Sequence, residues 1–89
     1  MLLSEAILKG SEGRGQCTGA YELPDGRVCV IGAIAKALSM GNIDTDKMLA
    51  KIIEGKGLGC SLVHLNDDRK YTFKQIVDYI KEKNLDVTI

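Results

Sequence analysis

The 89-residue chain has no tryptophan, one phenylalanine and one proline. Without aromatic side chains in number, a stacking surface for single-stranded nucleic acid is hard to build. Charge of either sign is not in excess. Lysine plus arginine and aspartate plus glutamate both count 12, and residues 1–40 hold four of each. A nucleic-acid polymer calls for a basic surplus or stripe, so that partner is excluded. No apolar run approaches the roughly 18 residues of a membrane span. The longest covers 28–35 and contains Gly32. The first eight residues lack a basic start and are interrupted by Glu5, so they do not read as a secretory signal. Cysteine is sparse and odd in number (Cys17, Cys29 and Cys60, with no C-x-x-C pair), which fits reduced thiols in a cytoplasm.

What is present is a globular composition, 45% apolar and 27% charged. The length suits a single domain over residues 1–89 with a small core. The expected fold is mainly α. Leu2, Leu3, Ala6 and Ile7 keep helical spacing, and Gly10 reads as the stop of a helix over 2–9. Pro24-Asp25-Gly26 is a turn signal that suits a short β-hairpin. Residues 30–40 are apolar nearly all round, with Lys36 the one charge, which marks a buried central helix. Asp44, Thr45 and Asp46 open a helix over 46–54. Thr72 and Gln75 form a T-x-x-Q capping box for a last helix over 72–84, ended by Asn84. Leu85, Val87 and Ile89 alternate as a short strand would. The central helix is expected to be packed by those over 46–54 and 72–84. Its core would draw on Ile7, Val30, Ile31, Ile34, Leu38, Leu49, Ile52, Ile53, Leu62, Phe73, Ile76, Val77 and Ile80.

Four constellations carry candidate chemistry. Cys29 stands near the start of the central helix, where unpaired N–H groups favour a thiolate. With His64 as base and Asn66 or Asp67 orienting it, the set would resemble a thiol hydrolase or transferase. The plainer reading makes Cys29 a small buried apolar side chain. Cys17, Cys29, Cys60 and His64 could together ligate zinc, although the paired knuckles of structural sites are missing. Glycine loops beside Arg14 and Lys56 could cradle a phosphate, or serve as plain connectors. Asn66-Asp67 reads either as a ligand contact or as a turn docked on the start of the central helix, supplying acceptors to its orphan N–H groups.

Cys29-Val30-Ile31-Gly32-Ala33-Ile34 fits a C-x-x-G-A-[LI] signature, and Asn66-Asp67 with Thr72-Phe73-Lys74-Gln75-Ile76 fits N-D…T-x-x-[EQ]-[VI]. Together with 15–21 and Asp25-Gly26, these resemble a small domain family of unknown function found in bacteria and phage genomes, across about residues 2–83. Leu65 stands where that family usually has tryptophan. The resemblance implies a compact helical domain and a phage or bacterial setting, and supplies no activity. The reading is therefore a small soluble, non-enzymatic binding protein of the cytoplasm, self-associating, with no cofactor and no membrane partner. It would sequester a small ligand, nucleotide or phosphate-bearing among the choices, or block a host protein, as in counter-defence. Arg14, Lys56, Asn66 and Asp67 are its candidate ligand contacts. The rival is the thiol enzyme of Cys29 and His64.

Overall fold

The computed structural model describes residues 1–39, 62–86 and 88. The chain is mainly helical, as expected. Helix α1 spans Leu3–Ser11, α2 spans Val30–Ser39 and α3 spans Phe73–Glu82. A π-helical turn, His64–Asp68, precedes α3. The expected helix over 46–54, with Leu49, Ile52 and Ile53, lies outside the described residues.

In α1, Leu3, Ala6, Ile7 and Gly10 are buried, which is the i, i+3, i+4, i+7 stripe of an amphipathic helix. Gly10 does not stop the helix; it belongs to the stripe. A methyl group built there would overlap the carbonyl oxygen of Ala33 on α2, so this glycine lets the two backbones meet. Its role is tertiary, and the local signal for a helix stop misled. Gly32 does the same toward the carbonyl of Tyr21.

Residues 28–35 are buried throughout, as an all-round apolar helix requires. Of the two expected partners of α2, the helix over 46–54 lies outside the described residues, and the last helix is not its main neighbour. Among the described residues α1 packs along α2, and α3 packs against α1. Ile7, Val30, Ile31, Ile34, Leu62, Ile76, Val77 and Ile80 are core, as read, while Leu38 and Phe73 are only partly buried. Leu3, Ala6, Cys17, Val28, Cys29, Ala33, Ala35 and Leu65 join them.

Helix α3 begins as its capping box dictates. The Gln75 N–H donates to Thr72 Oγ1 at 3.2 Å, and the Thr72 N–H donates to Gln75 Oε1 at 2.9 Å. Asn84, at φ 58°, ends it, and the Leu85 N–H returns to the Ile80 carbonyl at 2.8 Å. The tail then touches the other end of the chain, where Thr88 bridges Leu2 in antiparallel sense.

The turn at Pro24-Asp25 forms, closed by the Gly26 N–H on the Leu23 carbonyl at 2.9 Å. Strand pairing around it is reduced to single bridges. Val28 pairs with Glu22 on one side and, unforeseen, in parallel with Gln16 on the other. The segment 15–28 thereby folds back on the start of α2 and holds the loop 17–21 beside it. No helix among the described residues is long and apolar enough to cross a membrane.

Candidate functional site

Three segments meet where α2 begins: the loop 16–21, Cys29 and the π-helical turn. A helix start leaves N–H groups without partners. Here one of them is met from a distance. The Val30 N–H donates to Asn66 Oδ1 at 3.1 Å. The same oxygen accepts from Gln16 Nε2 at 2.8 Å. Asn66 Nδ2 donates to the Cys17 carbonyl at 2.9 Å and to Asp67 Oδ1 at 2.7 Å. A carboxamide has two acceptor sites and two donor protons, and all four are used. Asn66 is 1% exposed. It is therefore the fastening of the site, as the docked-turn reading held, and its side chain has no bond left for a ligand. Gln16 extends the network to the Tyr71 carbonyl at 2.6 Å.

The π-helical turn explains how Asn66 gets there. Its closing bond runs from the Arg69 N–H to the His64 carbonyl at 3.1 Å, five residues apart. The wider turn buries two adjacent residues, Leu65 and Asn66. Leu65 faces the core and Asn66 faces α2.

Beside this network lies an open hollow of about 440 Å³, lined by Gly19, Ala20, Tyr21, Cys29, Val63, Asn66 and Asp67. Asp67 is its one ionisable carboxylate among the described residues. It is partly buried, and its Oδ2 accepts the Gly19 N–H at 3.3 Å, which pins the loop to the turn. Cys29 immediately precedes α2, and its Sγ accepts the Gly32 N–H at 3.4 Å. Burial pushes the Cys29 thiol up, and the backbone N–H groups of Gly32 and Ile31 pull it down by less. The nearby carboxylate of Asp67 adds to the rise. Cys29 is thus a protonated thiol in the neutral range.

The expected partner of that thiol is elsewhere. His64 is exposed and bonds Asp68 through Nδ1 at 2.9 Å, four residues on. It does not line the hollow, and Asn66 does not orient it. The π-helical turn buries the residues next to His64 and leaves the imidazole outside. The Cys29–His64–Asn66 arrangement is therefore not assembled. Of the zinc candidates, Cys17 and Cys29 are free and buried, and Cys60 lies outside the described residues. Among the described residues no three metal-ligating side chains gather. Arg14 pairs with Glu22 at 3.4 Å and does not line the hollow. Glu22 also holds Lys36 at 3.2 Å. Lys56 lies outside the described residues.

A second hollow, of about 480 Å³, opens on the other side of Gln16 and Asn66. Arg27 and Lys70 line it. Neither was legible as a site residue. Gln16 was also missed, though it sits within the 15–21 stretch that carries the resemblance.

Comparison of the chain with family models, with curated proteins and with solved structures gives no match. The geometry defines a class only: a small helical domain with two open hollows flanking a buried amide network. No family model supports the resemblance read from the motifs over residues 2–83.

Proposed function

We propose that the protein is a non-enzymatic binding protein that sequesters a small molecule in the hollow at the start of α2. The observation that carries this reading is a built cavity whose reactive group has no assembled machinery. Cys29 lines it, but burial holds the thiol protonated and the one histidine is bonded away. A cavity of about 440 Å³ is the size of a small-molecule site, which supports sequestration. Asp67 in the wall disfavours a phosphate and favours a ligand that brings hydrogen-bond donors, such as an amine. The motif resemblance supports a bacterial or phage cytoplasm as the setting. A core of this size, which gains from partner surface, supports self-association.

Two measurements test it. Titration of small amines, followed by amide NMR, should move the signals of Gly19, Ala20 and Asp67 to saturation. Iodoacetamide at neutral pH should alkylate Cys29 of the native protein slowly. Absence of any amine response, with fast and selective alkylation of Cys29, would replace this reading with the thiol enzyme. The observation behind that rival is the position of Cys29 against both the hollow and the first N–H groups of α2.

A further inference from the structure

We infer that the second hollow, the one lined by Arg27 and Lys70, binds the phosphate group of a small molecule. Its wall is made by Gln16, Cys17, Thr18, Leu23, Arg27 and Lys70, with Asn66 beneath. Among the described residues two cations line it and no carboxylate does. The Asn66 amide is saturated, and Gln16 spends its Nε2 on Asn66 Oδ1 and the Tyr71 carbonyl, so the two form a rigid floor in which Gln16 Oε1 is the one amide atom without a partner among the described residues. Donors remain at the rim. Among the described residues the Lys70 ammonium has no ion-pair partner, and the Thr18 hydroxyl has no hydrogen-bond partner.

Arg27 is oriented rather than consumed. Its Nε donates to Asp25 Oδ2 at 2.9 Å, while Asp25 Oδ1 accepts the Arg27 N–H at 3.0 Å. That clasp leaves the terminal amino groups of the guanidinium unbonded among the described residues. The Arg27 N–H and guanidinium hold the Asp25 carboxyl below its usual range, so it stays ionised and offsets part of the arginine charge. Lys70 is therefore the cation that decides.

The backbone at Lys70 fixes where its side chain leaves the turn. Its φ is +54°, in the left-handed region. The other described residues with positive φ are Gly13, Gly19, Gly26 and Asn84, the types that tolerate it. A lysine there is a costly choice, and the neighbours enforce it. The Tyr71 N–H is bound to the Leu65 carbonyl at 2.9 Å, and the Tyr71 carbonyl to Gln16. The left-handed residue closes the π-helical turn, as Asn84 closes α3, and leaves the Lys70 side chain exposed at the edge of the hollow. A compact ammonium and a forked guanidinium are the pair that suits a phosphate oxygen set.

The test is inorganic phosphate titrated into the full chain, followed by amide NMR, with sodium chloride of equal ionic strength as control. The Thr18, Arg27 and Lys70 signals should shift and saturate with phosphate alone. Lys70→Gly should weaken that affinity about tenfold or more while melting no lower than the parent, because glycine relaxes the left-handed backbone. Lys70→Met, which keeps the backbone demand, should lose affinity equally. Identical shifts with chloride, or undiminished phosphate affinity in both variants, would overturn the site. Its readout is separate from Gly19 and Asp67, so the amine hollow stands or falls on its own.

Discussion

The two helices that pack together have their starts met by different chemistries. Helix α1 is met by a carboxylate. Asp86 accepts the Ser4 N–H at 2.8 Å and the Ser4 hydroxyl at 2.7 Å, from the far end of the chain. Helix α2 is met by an amide, Asn66, which accepts the Val30 N–H and is held in place by three further bonds to Gln16, Cys17 and Asp67. Asp86 is partly exposed and Asn66 is buried. Water sets the choice. A buried charge without a counter-ion is costly, so the dry site takes a neutral group that can be satisfied completely. The wet site can take a charge, which also suits the positive end of the helix dipole. One start is therefore fixed at every pH, and the other is tuned by it.

The hardest test of that contrast is Asn66→Ala. It leaves the Val30 N–H, the Cys17 carbonyl and the Gln16 amide without their partner. Buried orphans cost about 1–3 kcal/mol each before relaxation, so a loss of about 3–5 kcal/mol is expected. For a domain of this size that is a large share of the total. Urea melts across the acid and neutral range should show a deficit that does not change with pH. A deficit that closes in acid would mean that the neighbouring carboxylate of Asp67 governs the network, and the contrast would fail.

Gly10→Ala probes what both helices share, the contact that joins them. On an exposed helix this change stabilises by up to about 1 kcal/mol. Here the new methyl would overlap the Ala33 carbonyl, which is backbone and cannot turn aside. Overpacking costs about 1–3 kcal/mol and exceeds the propensity gain. A net loss of about 1–2 kcal/mol is expected, with no dependence on pH. A rise in melting temperature would show that α1 and α2 do not approach so closely, and the two starts would have to be treated as unconnected.

What could be read beforehand follows the range of the interactions. Helix α3 was legible to its ends because T-x-x-Q and Asn84 act within a few residues. Burial of α2 was legible because no face of it is polar. Docking of Asn66-Asp67 on α2 was legible as a matter of accounting, since a buried helix start must find acceptors. Gly10 was misread because the same residue suits a helix stop and a backbone contact, and only the partner helix decides. The π-helical turn has no propensity signal, so the sequence left His64 open between a base for Cys29 and a surface, hydrogen-bonded residue, and the structure shows the second. The hollows escaped notice for a related reason. Their walls are made by 16–21, 23, 27, 29, 63, 66, 67 and 70, which chain order separates and the Asn66 network gathers.

The smallest effect sharpens the contrast most. Burial raises the Asp86 carboxyl, but the two bonds from Ser4, with the charge of Lys81, outweigh it and hold the group below its usual range. A carboxyl lowered in the folded state stabilises the fold where it is ionised in both states, above about pH 3.9. That contribution fades as the pH falls through the ordinary value and is gone below the folded one. Asp86→Ala should therefore cost about 1 kcal/mol near neutral pH, the usual worth of a helix-start acceptor that is open to solvent. The gap to the parent should narrow below about pH 4 and vanish in stronger acid. Added salt should narrow it as well, since the site is not dry. Asp86→Asn keeps an acceptor for the Ser4 N–H and should fall between the two at neutral pH, with no acid dependence of its own. If the parent and Asp86→Ala melt apart by the same margin at every pH, the carboxylate is not what meets α1, and the tail would be held by the Leu2–Thr88 bridge alone.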